Sequence, residues 1–286
     1  MPKAKSPEDF LPLRPVEFEV LLLHTFRTGD ASVLSGWASS LTLPSDRTTF
    51  FNFLASHDGV GLNPARGILS SADIDSLIEQ TLAHGGLISY KQNADGTKTP
   101  YEMNINYFDA LTNPSSDESL DLQVDRFMAA QAIMLTLVGM PGIYFHSLFG
   151  SRNWKDGVNI TKHNRTINRQ KLQRDELEKQ LADVSSLRSK VFLRYREMLL
   201  ARSSTSAFDP HGGQEILDVG KEVFAVLRSS PDESKQALCL QNITSHAVEI
   251  ENPIKKTVRD LLTNRSMDSK ILLKPYQSIW LEESSL

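Results

Sequence analysis

The chain has 286 residues, of which 40% are hydrophobic and 23% charged, and this composition is typical of a globular protein. Its formal net charge of −4 argues against general nucleic-acid binding, which favours clustered basic surface. A single cysteine, Cys239, excludes an internal disulfide and a cysteine-based zinc site, and its apolar neighbours predict a buried thiol.

The start of the chain is predicted to be an irregular segment over residues 1–17. It is rich in proline and lysine and lacks the apolar core of a secretory signal. The most apolar window, residues 127–149, is interrupted by Gln131 and by Gly139-Met140-Pro141-Gly142, so a buried helix followed by a buried strand is favoured over a membrane span. We therefore expect a cytoplasmic protein.

A strand that ends in polar groups is the most informative element of the chain. Apolar spacing over residues 18–43 predicts an interrupted helical segment. Residues 48–56 then form an apolar run rich in phenylalanine, which ends in His57, Asp58 and Gly59. A buried parallel strand delivers polar groups in this way to a site at its carboxyl end.

A helix and a long loop are predicted after this strand. Ser70 is placed to cap a helix that Gly85-Gly86 ends. Residues 87–118 are rich in polar residues and are predicted to be a loop. A loop of that length in a compact domain is usually functional or disordered, so this segment is a candidate substrate loop.

Three further elements complete the first two thirds of the chain. Residues 120–138 predict a helix that is buried on all sides from Phe127 onward. Residues 141–146 predict a short strand that ends at the polar His146. Residues 172–200 predict a long amphipathic helix.

The composition changes near Arg202, where short apolar runs begin to alternate with turn residues. This pattern predicts a small antiparallel β-sandwich. The runs span residues 215–219, 222–228, 236–241, 247–250, 270–273 and 278–281.

The strand with the polar end carries a family resemblance. Phe50-Phe51-Asn52-Phe53-x-x-x-His57-Asp58 resembles the fourth conserved region of the α-amylase clan, glycoside hydrolase family 13. Further blocks, in the family order, are similar to its sucrose phosphorylase subfamily: Leu23-His24-Thr25-Phe26-Arg27-Thr28-Gly29-Asp30-Ala31, Tyr101-Glu102-Met103-Asn104, Gly139-x-Pro141-Gly142-Ile143-Tyr144, Gly150-Ser151-Arg152-Asn153 and Arg165-Thr166-Ile167-Asn168-Arg169. Within that subfamily the chain looks closer to glucosylglycerate phosphorylases, because true sucrose phosphorylases usually carry Gln where Glu102 stands.

The resemblance implies an α/β fold in two parts. Residues 18–202 would be the C-terminal portion of a TIM (β/α)8 barrel. Residues 203–286 would be the clan's small antiparallel β-sandwich, with a structural role.

The resemblance also implies retaining phosphorolysis of a sucrose-like or glucosylglycerate-like α-glucoside. An Asp attacks the anomeric carbon and a Glu protonates the leaving oxygen, after which phosphate releases α-glucose 1-phosphate. Inorganic phosphate is the co-substrate, and no metal or other cofactor is expected.

Six residues take roles from the matched blocks. Asp58 would stabilise the oxocarbenium-like transition state, and His57 would bind a neighbouring sugar hydroxyl. Arg169 would reach the glucose site, with Arg165 as a further candidate. Tyr101 and Glu102 would lie on a loop that faces the acceptor or phosphate.

Half of the family's catalytic machinery is not found in these residues. The clan's nucleophile lies in a Gly-x-Arg-x-Asp block and its acid/base Glu on the next strand, and neither block occurs here. Residues 20–202 supply only two clear barrel strands, whereas a closed eight-stranded barrel needs about 250 residues. We therefore expect the C-terminal part of a longer enzyme, inactive by itself, and a complementary N-terminal polypeptide is one partner that this hypothesis allows. A hydrolase of the same clan, a non-catalytic glucoside-binding subunit and a remnant without function stay open as alternatives.

Overall fold

The computed structural model describes residues 16–43, 45, 47–254, 257–267 and 269–283. Most of the predicted irregular segment, residues 1–15, lies outside them. The helices are α1 (Phe18–Thr28), α2 (Ser32–Ser39), α3 (Ser71–Ala83), α4 (Tyr107–Leu111), α5 (Leu120–Thr136), α6 (Phe145–Leu148), α7 (Lys155–Thr161), α8 (Arg174–Ala182) and α9 (Leu187–Ser203). The strands are β1 (Phe51–Asn52), β2 (Val60–Gly61), β3 (Leu87–Gln92), β4 (Lys98–Asn104), β5 (Met140–Pro141), β6 (Gly213–Leu217), β7 (Val223–Ser229), β8 (Gln236–Asn242), β9 (Val248–Glu251), β10 (Val258–Asp260), β11 (Ser266–Met267), β12 (Lys270–Leu273) and β13 (Ser278–Glu283).

The first helices follow the predicted signals. Gly29 separates α1 from α2, with a left-handed φ of 67° and its N–H on the Thr25 carbonyl, so the interrupted helical segment is confirmed. The predicted cap at Ser70, where α3 begins, is also confirmed, and it is part of a capping box. The Ser70 side chain accepts from the Asp73 N–H, and the Asp73 carboxylate accepts from the Ser70 N–H.

The two predicted parallel strands pair with each other, over a shorter length than expected. In β1 and β5, Phe51 lies opposite Met140 and Asn52 lies opposite Pro141. Buried Asn52 connects the pair to the segment just after α5. Its Nδ2 donates a hydrogen bond to the Val138 carbonyl at 2.9 Å. Soon after Pro141 the chain turns into α6, which ends the ladder. The predicted strand over residues 141–146 is therefore wrong beyond Pro141, and His146 lies in a helix and not at the end of a strand.

The predicted loop over residues 87–118 is wrong. Its first part is the antiparallel hairpin β3–β4, which β2 extends to three strands, and α4 follows. Gly96, with φ 83°, allows the tight turn, and the Asp95 carboxylate accepts from the Thr97 N–H at 3.0 Å. The strands were missed because their outer residues are exposed and polar, so the apolar alternation is lost.

The single long helix predicted over residues 172–200 is also wrong, because the chain breaks it into α8 and α9. Asp183 accepts from the Ser185 N–H and hydroxyl, and Ser186 caps α9 by accepting from the Ser189 N–H. Short polar side chains offer the backbone hydrogen bonds that compete with the helix. The buried helix predicted over residues 120–138 is confirmed as α5.

Antiparallel sheets form the last part of the chain, as expected. One sheet has the strand order β11-β10-β13-β8-β7-β6, and β12 pairs with β9. A separate apolar cluster that includes Leu238, Leu240, Ile250 and Ile271 lies among these strands. Strands β10 and β11 were not predicted, because each is only two or three residues long. In the part of the chain that the structure describes, no helix has the length and apolarity that crossing a bilayer requires.

Two arginines, Arg228 on β7 and Arg202 on α9, donate to backbone carbonyls at the end of α5. Arg228, fully buried, donates to the carbonyls of Thr136 at 2.9 Å, Gly213 at 2.9 Å and Asp209 at 2.8 Å. Arg202 donates to the Leu135 carbonyl at 3.0 Å. Carbonyls at the end of a helix lack intrahelical partners and carry partial negative charge, so guanidinium donors stabilise the end of α5.

Candidate functional site

His57 and Asp58 lie where the sequence predicts, just beyond β1. The His57 side chain is 72% exposed and that of Asp58 is 40% exposed, and His57 Nε2 lies 3.7 Å from Asp58 Oδ1. Gly59 lets this turn approach β4, because a Cβ at that position would lie 2.6 Å from the Met103 carbonyl oxygen. The close approach brings Asp58 next to Glu102.

Two arginines hold one oxygen of the Asp58 carboxylate. Arg165 Nη1 donates to Asp58 Oδ1 at 2.8 Å, and Arg169 Nη2 donates to the same atom at 3.1 Å. Arg169 Nε also donates to the His57 carbonyl at 2.6 Å. Asp58 Oδ2 accepts no hydrogen bond from any described residue. The carboxylate is therefore fixed through one oxygen and open to a ligand through the other.

Glu102 sets the position of Arg165 and of the turn. It is 4% exposed, accepts from Arg165 Nε at 3.2 Å, and its Oε1 lies 2.9 Å from Arg165 Nη2. Its Oε1 also accepts from the Gly59 N–H at 3.2 Å. The hydrogen bond to Glu102 raises the pKa of Arg165, which keeps this arginine charged. The predicted contact of Glu102 with an acceptor or phosphate stays a prediction.

Tyr101 lies next to Glu102 on β4 and is half-buried. Its backbone carbonyl accepts from the Leu62 N–H at 2.9 Å. Its phenol is close enough to Arg165 to contribute to the raised pKa of that arginine. The phenol hydroxyl is hydrogen-bonded to no described residue, so the predicted role toward a ligand stays open.

Asn168 and Tyr144 are part of the site and were not singled out from the sequence. Asn168 Nδ2 donates to the Asp58 carbonyl at 2.8 Å and to the Ser56 carbonyl at 3.2 Å. Tyr144 donates its hydroxyl proton to the Asn168 carbonyl at 2.8 Å. Both residues occur in blocks that carry the family resemblance, and only this resemblance could have identified them as site residues from the sequence.

Glu19 is a second carboxyl group near Asp58 that the sequence did not reveal. It lies in the first turn of α1 and is 9% exposed. Burial, with a smaller contribution from the Asp58 charge, raises its pKa to about 8. Its carboxyl forms no hydrogen bond with the described part of the chain, and it is neutral at pH 7. A single Glu within an apolar helical pattern does not indicate from the sequence that its carboxyl is buried near Asp58.

The site as described is an ion-pair cluster with one available carboxylate oxygen. The two carboxylates, Asp58 and Glu102, form ion pairs with the two guanidinium groups of Arg165 and Arg169, so the cluster contains equal numbers of acidic and basic groups. Among the described residues, no group of three or more His, Cys, Asp or Glu side chains is arranged to hold a metal ion. The cluster suits hydrogen bonding to neutral hydroxyl groups and stabilisation of a developing positive charge.

Known proteins that are similar to this chain include two glucosylglycerate phosphorylases. The chain is 45% identical over 261 residues to the glucosylglycerate phosphorylase of Allomeiothermus silvanus, an alignment that covers 91% of this chain and 45% of that protein. It is 46% identical over 259 residues to the glucosylglycerate phosphorylase of Spirochaeta thermophila, covering 90% and 44%. No family model matches the chain.

A solved structure shows the same fold at low identity. The crystal structure of sucrose 6F-phosphate phosphorylase from Thermoanaerobacter thermosaccharolyticum superposes with a TM-score of 0.69 at 19% identity, and the match covers 93% of this chain and 48% of that one. The chain therefore spans about half the length of the relatives that it matches. Over about 90% of its length the chain is thus similar to glucosylglycerate phosphorylases, and its relatives are phosphorylases of glycoside hydrolase family 13.

Proposed function

We propose that this chain supplies the glucose-binding part of an α-glucoside phosphorylase that acts on a glucosylglycerate-like substrate, with inorganic phosphate as co-substrate and no metal. The observation that carries the proposal is the Asp58 carboxylate, held through Oδ1 by two arginines and open at Oδ2. The names of the relatives at 45% and 46% identity support the substrate class.

In this proposal Asp58 stabilises the transition state. Oδ2 accepts a hydrogen bond from a sugar hydroxyl, and the carboxylate charge favours the oxocarbenium-like species. Arg169 and Arg165 hold the Asp58 carboxylate in position, and His57, whose ring is largely exposed, binds a neighbouring hydroxyl. The hydrogen bond from the sugar hydroxyl to Oδ2 strengthens as positive charge develops on the ring, because the hydroxyl becomes a better donor.

Glu102 and Tyr101 form the side of the site that faces the acceptor or phosphate. Glu102 is buried and acts mainly by holding Arg165, so we assign it a positioning role. Tyr101, with its hydroxyl unpaired among the described residues, is the better candidate for direct contact. Both lie on β4, which follows the hairpin turn at Gly96.

We further propose that β1 and β5 are two neighbouring strands of a (β/α)8 barrel. Their parallel pairing supports this, as do the exposed apolar side chains beside them: Phe51 is 40% exposed and Met140 and Phe145 are each 49% exposed. The other strands, together with the nucleophile and the acid/base carboxyl groups, would come from a complementary N-terminal polypeptide segment that these 286 residues do not include.

The test is reconstitution of phosphorolysis. The purified chain is incubated with glucosylglycerate and phosphate, alone and together with the N-terminal half of the Allomeiothermus silvanus relative. We expect no glucose 1-phosphate from the chain alone and production of glucose 1-phosphate from the mixture.

Three other results would reject parts of the proposal. Turnover by the chain alone would contradict the need for a complementary segment. Release of free glucose instead of glucose 1-phosphate would identify a hydrolase. Saturable glucoside binding by the chain, with no turnover in any mixture, would identify a non-catalytic binding subunit.

A further inference from the structure

The turn that carries His57 and Asp58 takes its backbone conformation from side chains. Residues 53–59 form neither helix nor strand. Among the described residues, no backbone–backbone hydrogen bond reaches residues 56–58. Within the turn, the Asp58 N–H donates to Ser56 Oγ at 3.1 Å. A segment of this kind keeps one conformation only where groups from other elements hold its polar backbone atoms.

Three successive carbonyls of the turn accept hydrogen bonds from two successive residues, Asn168 and Arg169. Asn168 Nδ2 donates to the Ser56 carbonyl at 3.2 Å and to the Asp58 carbonyl at 2.8 Å. Arg169 Nε donates to the His57 carbonyl, which lies between them, at 2.6 Å. The peptide groups on both sides of Asp58 are therefore held from outside the turn.

Asn168 has the donors that this contact needs. A side-chain amide nitrogen carries two N–H groups, one for each of the two carbonyls. The opposite orientation of the amide would place Oδ1 against two carbonyl oxygens, which only accept. Asn168 is 4% exposed, and its Oδ1 is buried and accepts no hydrogen bond from the described residues. Since an unpartnered buried acceptor lowers stability, the geometry of the turn explains this arrangement better than the stability of the fold does.

The main chain around Asn168 is itself held in place. The Tyr144 hydroxyl donates to the Asn168 carbonyl at 2.8 Å. The Trp154 N–H donates to the carbonyl of buried Ile167, also at 2.8 Å. The amide of Asn168 therefore projects from a fixed backbone, as the support of a functional group requires.

We propose that Asn168 is a positioning residue for Asp58, an inference that rests on the proposed function of the Asp58 site. By holding the carbonyls of Ser56 and Asp58, Asn168 sets the direction in which Asp58 Oδ2 meets the sugar hydroxyl. Asn168 carries no charge, so it acts on the geometry of the site, whereas Arg165 and Arg169 also bring charge to the carboxylate. A misplacement of about 1 Å at a catalytic group costs about 10²-fold in rate.

The first test compares crystal structures of the whole chain as wild type and as Asn168→Ala, which removes both donors and adds no bulk. We expect residues 56–58 to shift by about 1 Å, while the C-terminal sheet keeps its structure. An unshifted turn would overturn the proposal. The comparison needs no turnover, so it decides the role of Asn168 even where the wild-type mixture forms no glucose 1-phosphate, the result that rejects the proposed function.

The second test is the rate of phosphorolysis in the reconstituted mixture. For Asn168→Ala we expect kcat to fall at least about tenfold and KM for glucosylglycerate to change by less than about threefold, because alignment of Asp58 matters most in the transition state. Tyr144→Phe, which removes one hydrogen bond to the Asn168 carbonyl, should give a smaller loss of the same kind.

Two other asparagines are the controls. Asn159→Ala, at an exposed position of α7, should change neither kcat nor stability. Asn242 is fully buried in β8 and donates to the carbonyls of His246 at 2.7 Å and Lys274 at 2.9 Å. Asn242→Ala should therefore lower the urea midpoint and leave the kcat of the folded fraction unchanged. A wild-type kcat for folded Asn168→Ala, as for Asn242→Ala, would overturn the proposal.

Discussion

The parallel pair β1–β5 and the C-terminal antiparallel sheet differ in how far their edges and faces are covered. The pair consists of two aligned residue pairs, and its apolar side chains Phe51 and Met140 are exposed. The sheet has six strands among the described residues, and its central strand β8 is buried from Ala237 to Asn242. The central strands of the C-terminal sheet are therefore paired and buried by contacts within this chain. The parallel pair leaves strand edges and apolar side chains available for further contacts.

The arginines of the two regions differ in the same way. Arg228 is fully buried and donates only to backbone carbonyls, so its role is structural. Burial lowers its pKa to about 10. Arg169, 39% exposed, binds a carboxylate that is itself 40% exposed. We therefore expect substitutions in the first region to affect stability and those in the second to affect ligand binding.

Replacement of the buried arginine is the strongest test of this difference. Arg228→Met removes three hydrogen bonds between a buried guanidinium and backbone carbonyls and should lower the free energy of unfolding by about 4 kcal/mol. Arg169→Met should change it by less than about 0.5 kcal/mol, because its ion pair is partly exposed. Urea unfolding followed by the fluorescence of the 3 tryptophans measures both, and equal effects would contradict the distinction.

Glu19 allows a test by pH. The pKa of its carboxyl is about 8 in the folded chain and about 4.5 when unfolded, so the folded state holds more protons between these values. The contribution of Glu19 to stability therefore falls as pH rises from about 4.5 to about 8. At pH 7 the loss is about 3 kcal/mol, and Glu19→Gln should recover that amount.

The measurement is the difference in unfolding free energy between Glu19→Gln and wild type from pH 5 to pH 8. We expect the difference to grow with pH. Asp58→Asn should reduce the effect in part, because the Asp58 charge contributes to the raised pKa of Glu19. A difference that does not vary with pH would show that Glu19 is not held neutral by its surroundings.

The turn after Asp58 gives a smaller, local effect. In Gly59→Ala the new Cβ would lie 2.6 Å from the Met103 carbonyl oxygen and 2.7 Å from Glu102 Cγ, so we expect a loss of about 2 kcal/mol. Gly36→Ala, in α2 with open space around it, is the matched control and should stabilise by about 0.5–1 kcal/mol. Thermal unfolding compares the two, and destabilisation by both would contradict the claim that the Gly59 effect comes from its close contact with β4.

Sequence reasoning predicted the elements whose signals are local. The strand before Asp58, the Ser70 cap and the buried helix α5 are visible in short stretches of sequence. The β3–β4 hairpin was missed because its strands are half exposed and polar, and the break near Ser186 depends on side-chain hydrogen bonds to the backbone.

The candidate site shows the same limit. Asp58 and Arg169 were predicted through the family resemblance, and the structure brings them within 3.1 Å. Their contact joins residues 111 positions apart, a separation that no local pattern encodes. The burial of Glu102 and of Glu19 likewise follows from packing between distant elements, so this burial and the raised pKa of Glu19 were out of reach of the sequence.

The most direct test of the central claim is the rate of phosphorolysis of Asp58→Asn in the reconstituted mixture. Asp156→Asn, an exposed aspartate on α7, is the matched control. We expect a loss of at least about 10²-fold in kcat for Asp58→Asn and wild-type rates for Asp156→Asn. Equal rates for the two variants would contradict the assignment of Asp58 to the glucose site.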